Sequence, residues 1–296
     1  MSNFSHFAAV DWSGAAGPRQ RGIAIAVAAA GHGAPELVRP GHIWARAEVL
    51  DWLLRDMPEN TLVGFDLSPS LPFVDRGAFF PGWADSPPDA RALWAMVERL
   101  CAEEPHLGAN AFVDHAEASR HFRRHGGREG DLFGGGRGRL RAVEWAELRS
   151  GIVNPVSCLN LVGAAQVGKS SLTGMRLFHR LGGRLPFWPF DPVPATGSLI
   201  VEIYTSIAAV AAGRPKSRAK IRDRAGLDAA LEALGSAPSA PLHRNDDHAT
   251  DALVTAAWLR QVAADPALWV APPPAIALTE GWTFGVPWRK EHPAPG

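Results

Sequence analysis

The apolar residues of this chain fall into short unbroken runs near its start and into helical spacing further along. HFAAVDWSG at residues 6–14 is a buried run closed by a turn. RGIAIAVAAAG at 21–31 is a second run, and PELVRPGHIW at 35–44 is a weaker third, limited by Pro40. Close spacing and glycine-rich joins predict an antiparallel meander. RAEVLDWLLRDMP at 46–58 places apolar residues at helical spacing and stops at Pro58. TLVGFDLSPSLP at 61–72 is a fourth buried strand ended by its prolines, and DARALWAMVERLCAEEP at 89–105 is an amphipathic helix. Residues 106–196 are less regular and include the Pro-rich LPFWPFDPVPATG at 185–197. SLIVEIYTS at 198–206 is a strong strand, and RPKSRAKIRDRAGLDAALEALG at 214–235 is polar, then helical. NDDHATDALVTAAWLRQVAAD at 245–265 is a clear helix with Asn245 or Asp246 as N-cap. TEGWTFGVP at 279–287 fits a final edge strand.

This order predicts an α/β fold in which a hairpin meander joins parallel strands through helical crossovers. The expectation is one domain over residues 1–296: a mixed five-stranded sheet flanked by helices, with a large irregular insert at about 76–196.

Composition narrows the class. The chain of 296 residues is long enough to bury a large core. Its formal net charge of zero provides no global field for a polyanion, so basic residues matter only locally. Cys101 and Cys158 form no CxxC pair and no disulfide framework, which points to a reducing compartment. The N-terminus has neither a cationic region nor a long apolar one, and no apolar run approaches the roughly 18 residues of a membrane span. A soluble, cytoplasmic protein without membrane association is expected.

One local motif suggests a nucleotide. GAAQVGKSS at 163–171 fits G-x-x-x-x-G-K-[ST], the phosphate-cradling P-loop, in a chain with only four lysines. Its surroundings argue against that assignment. NPVSCLNLV at 154–162 contains Pro155 and Asn160, which suit a central parallel strand poorly. The acid needed to hold magnesium has one candidate, Glu202, and a single strong strand follows. The alternative is a glycine-rich loop whose Lys169 faces solvent or a substrate phosphate.

Acids inside apolar strands carry the stronger signal, because buried charge is costly unless paired or bound to metal. Asp11 ends AAVD, Asp66 sits in LVGFD and Glu202 in LIVEIY. On the last clear helix Asp247 and Asp251 are four apart and share a face, and His248 and Asp251 are three apart. Strand-end acids and a late-helix acid can assemble a hard-cation site for magnesium or manganese (Mg2+ or Mn2+). Two such ions, ~4 Å apart, would serve phosphodiester cleavage. Each acid also has a local explanation. Asp11 can cap the Ser13-Gly14 turn, Asp66 can start an Asx-turn before Ser68-Pro69, Asp246 and Asp247 can favour the helix N-terminus, and Glu202 can pair with an arginine.

AVDWSG, VGFDLSPSLP, VEIYTS and DDHATDALVTAAW resemble the motifs of an uncharacterised RNase H-like family of predicted nucleases, the domain of unknown function numbered four hundred and twenty-nine. QVGKSSLTGM and EGWTFGV also resemble recurrent stretches of that family, so the likeness runs from residue 8 to about 287. It implies an RNase H-like fold, distantly similar to RuvC-type resolvases. By that resemblance Asp11 is the first-strand acid, Asp66 the fourth-strand acid and Asp251 the helix acid, with Asp247 or His248 beside it, all serving divalent metal. Glu202 has no secure counterpart. The implied activity is a metal-dependent nuclease using an activated water, with a homodimer as the resolvase-like assembly.

Seven arginines lie between 120 and 141, and six basic residues alternate from Arg214 to Arg224. Both runs suit the phosphates of a nucleic acid; both equally suit a solvated surface, the first balanced by Glu117, Glu129 and Asp131. Two rival functions stay open: an ATPase or phosphotransferase using the P-loop or an actin-like site, and a non-catalytic nucleic-acid-binding module.

Overall fold

In a computed structural model that describes residues 4–151, 153–162, 167–215, 220–242 and 246–290, six strands form one mixed sheet. They are β1 (His6–Asp11), β2 (Ala24–Ala29), β3 (Glu36–Leu37), β4 (Thr61–Asp66), β5 (Phe187–Trp188) and β6 (Leu199–Ile203), in the order β3-β2-β1-β4-β6-β5. β1, β2 and β3 pair antiparallel as the expected meander, while β4 runs parallel to β1, β6 to β4 and β5 to β6. The expected count of five is corrected to six. The added strand is a two-residue edge segment within the Pro-rich stretch, too short to show any periodicity. The tail expected as an edge strand supplies a single bridge from Thr283 to Glu202.

Strand alternation divides the core in two. Val10, Val63, Phe65 and Ile200 face one side; Ala9, Leu62, Leu199 and Val201 face the other. The helices are α1 (Arg46–Asp51), α2 (Ala90–Leu100), α3 (Asn110–Val113), α4 (Ala142–Ser150), α5 (Val167–Leu181), α6 (Thr205–Ala211), α7 (Arg224–Ala233), α8 (Asp247–Val262) and α9 (Pro274–Ala277). A short π-helical turn, Trp52–Asp56, continues α1. α2 packs on α5 over the first face, and α8 lies across β1 and β2 on the second with α6 and α7 against it.

Two close approaches fix these layers. At Gly64, in the middle of β4, a Cβ would stand 2.6 Å from Ile203 Cγ2 and 3.0 Å from Leu259 Cδ1, so α8 seats directly on the sheet. At Gly14, just past β1, a Cβ would stand 2.4 Å from the backbone of Lys169 and Ser170, so the β1 turn presses on the start of α5. The Trp12 indole then donates to Thr173 Oγ1 at 3.0 Å and meets Phe65 edge-on, tying the same turn to the same helix. Among the described residues no helix is long and apolar enough to cross a membrane.

Candidate functional site

β1 and β4 end together. Their register pairs Asp11 with Asp66, so both carboxylates project from the same face at the carboxyl ends of two parallel strands. The same face receives α8, whose N-cap Asp246 accepts from Ala249 N at 2.7 Å and so fixes the first turn. That turn aims His248 at the sheet: its Nδ1 lies 3.0 Å from Asp11 Oδ2. One helical turn on from Asp247, Asp251 is close enough to Asp11 and Asp66 to raise the proton affinity of Asp66. Asp66 is oriented by α6, accepting from Thr205 N at 3.2 Å and from Thr205 Oγ1 at 3.1 Å.

The electrostatics follow from crowding acids in a dry place. Burial, then the Asp11 charge, pushes Asp66 up to about 8 despite the two bonds from Thr205. Burial and Asp11 push Asp251 up to about 7. Burial also raises Asp11, opposed by its bond to His248, and that bond in turn raises His248. Both members of the pair are therefore shifted toward their protonated forms. Oxygen donors with one imidazole form a set that hard divalent cations accept, and a cation would offset both the burial and the repulsion that raise Asp66. Among the described residues, however, no three His, Cys, Asp or Glu side chains are drawn together as a ready ligand set.

Asp66 and His248 open into a cavity of about 400 Å³ that also exposes Trp12, Tyr204, Arg141 and Glu147. Its far wall is a buried ion network. Arg141, only 1 % exposed, reaches Glu202 with Nη1 at 2.9 Å and Nη2 at 2.5 Å, and Glu144 with Nε at 3.0 Å. Thr283 donates to Glu202 at 3.1 Å, and Glu280 takes the amides of Phe73, Val74 and Ala142. Glu147 closes the group; burial and the Glu144 and Glu202 carboxylates push it up to about 8.

This network corrects the expectation that Glu202 is a metal ligand. Glu202 pairs in register with Phe65, one residue before the Asp66 position, and a one-residue offset puts it on the opposite face of the sheet. Both of its oxygens go to Arg141, so the arginine-pairing alternative is the one the structure shows. Asp247 also leaves the cluster: it pairs with Lys220 at 2.7 Å and with Arg222 at 3.9 Å, which lowers its pKa. His248, not Asp247, is the α8 neighbour that touches Asp11.

The P-loop pattern lacks its frame. Residues 163–166 lie outside the described residues, and segment 153–162 forms one isolated bridge, Asn160 to Arg123, instead of a strand. The acid the motif needs, Glu202, is bound to Arg141.

The arginines between 120 and 141 divide. Arg139 and Arg141 are interior, with Arg139 bound to Asp75 at 2.6 Å, which corrects their placement in a surface patch. Arg120 pairs with Asp131, Arg123 with Glu129, and Arg124 and Arg128 with Asp114, largely the self-balanced surface. Sequence reasoning missed Glu144, Glu147, Thr205 and Tyr204 as parts of the cavity. The one available signal was the R-x-x-E spacing of Arg141 and Glu144, in which Glu144 bonds back to the Arg141 amide at 2.8 Å and starts α4.

Comparison of the chain with protein-family models, with curated proteins and with solved structures returns no match.

Proposed function

We propose that this chain is a divalent-metal-dependent phosphodiesterase acting on nucleic acid, built on an RNase H-like sheet. The observation that carries the reading is the in-register pair Asp11–Asp66 at two parallel strand ends, with His248 and Asp251 of α8 against it. An antiparallel meander feeding a central strand, with the next parallel strand on its other side, is the arrangement such a reading requires. Asp11, Asp66 and Asp251, with His248, would hold magnesium or manganese. The bound cation would supply a lowered pKa for water and a counter-charge for the leaving oxygen.

The residues themselves have definable tasks. Thr205 holds the Asp66 carboxylate in one orientation. The contact of His248 Nδ1 with Asp11 Oδ2 at 3.0 Å orients the imidazole and leaves Nε2 as the ring nitrogen that would bind the cation. Trp12 and Tyr204 line the cavity beside Asp66 and His248. The cavity of about 400 Å³ has room for a nucleotide unit, and Lys220, beside Asp247, places a cation near its acidic side.

Manganese titration by calorimetry, followed by cleavage assays on DNA and RNA, tests the reading. Wild type and Lys169→Ala should both bind manganese, and Asp66→Asn should not. ATP binding that disappears in Lys169→Ala, with no manganese dependence on Asp66, would overturn it in favour of a nucleotide site. Metal-independent nucleic-acid binding unaffected by Asp11→Asn would overturn it in favour of a non-catalytic module.

A further inference from the structure

Arg46 is 2 % exposed, yet among the described residues it pairs with no carboxylate. Its Nε and Nη2 donate to the Ser13 carbonyl at 3.1 and 2.8 Å, Nη2 to the Ala15 carbonyl at 2.7 Å, and Nη1 to the His106 carbonyl at 2.8 Å. Among the described residues carbonyls take four of its five N–H donors, leaving one at Nη1, and bring no counter-charge; an uncompensated charge in a low-dielectric interior is costly. Burial and the nearby Arg176 hold Arg46 down to about 10.

Against Arg46 lies a second cavity of about 180 Å³, bounded by the 14–17 loop, the start of α5 and segment 104–110. Lys169 lines it and forms no ion pair among the described residues. The one acid in its wall, Glu104, is already engaged: its carboxylate accepts from the backbone of Asn110 and Ala111 and from the Asn110 side-chain amide. The cavity thus presents two cations, Arg46 and Lys169, against the single carboxylate of Glu104, whose hydrogen bonds go to neutral amides, so its wall keeps an excess of positive charge. It shares the Gly14–Ala15 wall with the larger cavity of Asp66 and His248.

We infer that Arg46 and Lys169 form a phosphate-binding site beside the carboxylate cluster, taking a backbone phosphate that flanks the scissile one in a nucleic-acid substrate. The nucleic-acid part of this inference rests on the proposed phosphodiesterase reading; the anion site stands on its own geometry. The site gives the lysine of the P-loop-like stretch a role that needs no P-loop frame.

Arg46 also holds the Ser13 and Ala15 carbonyls, so the test is made at Lys169. Inorganic phosphate is titrated into metal-free protein and followed by phosphorus NMR. Wild type, Asp66→Asn and Lys169→Arg should show the same saturable binding. Lys169→Ala should bind about tenfold more weakly, about 1.4 kcal/mol. In parallel, oligonucleotide affinity is measured against salt in EDTA, where Lys169→Ala should reduce the logarithmic salt slope by about one. Absent saturable phosphate binding, or equal binding in Lys169→Ala, overturns the site. Phosphate binding that depends on Lys169 with an unchanged oligonucleotide slope overturns the nucleic-acid assignment and leaves a site for free phosphate. Because Asp66→Asn keeps phosphate binding while losing metal, failure of the metal reading is distinguishable from failure here.

Discussion

Asp11 and Asp66 are register partners across two parallel strands, each the last residue of its strand. Side chains at paired positions of parallel strands share a face, so the two carboxylates are forced together by the sheet itself. The arrangement is intrinsically strained electrostatically: Asp66 is held up to about 8 by burial and by Asp11. Replacing Asp66 with asparagine removes the repulsion and, on the proposed metal-dependent function, a metal donor together. Asp66→Asn should abolish manganese binding and manganese-dependent cleavage while stabilising the metal-free protein at pH 9 by at least about 1 kcal/mol. Chemical denaturation at pH 5 and pH 9 checks this. An Asp66→Asn protein no more stable than wild type at pH 9 would contradict the account.

The sign of that pH dependence follows from linkage. A carboxyl whose folded pKa lies above its unfolded value binds more protons in the folded state between the two values. Stability therefore falls as pH rises from near 4 toward 8, and is level above that. Asp66 at about 8 and Asp251 at about 7 both act in this direction. Metal affinity should run the opposite way, tightening from pH 6 to pH 9 as these carboxyls lose protons. Calorimetry in buffers of different ionisation enthalpy should detect proton release on manganese binding at pH 6.5 and much less at pH 9.

The Arg141 network predicts an asymmetric response. Among the described residues Arg141 is the single cation that both Glu202 oxygens and Glu144 share in the interior. Removing one partner of a buried pair strands the other, at a cost of about 3–5 kcal/mol. Arg141→Met should destabilise by that order, and Arg141→Met with Glu202→Gln should recover part of the loss. Urea denaturation of the single and double variants measures both, and a double variant less stable than the single would show that the two residues do not act as a pair.

How far these features are readable from sequence depends on what sets them. The strands and α8 show themselves by apolar pattern, and Asp11 and Asp66 by being acids where an apolar run ends. Register is different, because it is fixed by how strands meet. Nothing in LIVEI says that Glu202 pairs with Phe65 and so faces away from Asp66. Arg141 sits in a glycine-rich stretch with no periodicity, so its interior position depends on Glu202 and Glu280, which lie 61 and 139 residues away. Likewise Arg46 begins an ordinary amphipathic helix, and only the fold brings it to the loop after β1.

Gly64 offers a test of how the sheet and α8 share the site. A Cβ there would stand 2.6 and 2.9 Å from Ile203 Cγ2 and Cδ1 and 3.0 Å from Leu259 Cδ1. These are ends of side chains, so Gly64→Ala should fold, with an overpacking cost of about 1–3 kcal/mol. The relief available is for α8 to lift from β4 or for Ile203 to move toward α6. Either motion acts on the cluster, since α8 carries His248 and Asp251 and α6 carries Thr205. Manganese affinity should therefore fall along with stability, although the added methyl touches no carboxylate. Gln261→Gly, exposed in the last turn of α8 and ten residues beyond Asp251, supplies the control. It should cost up to about 1 kcal/mol through helix propensity. It should leave manganese affinity close to that of wild type. Equal losses of affinity in the two variants would mean that general stability, and not the seating of α8 on β4, governs the carboxylate cluster.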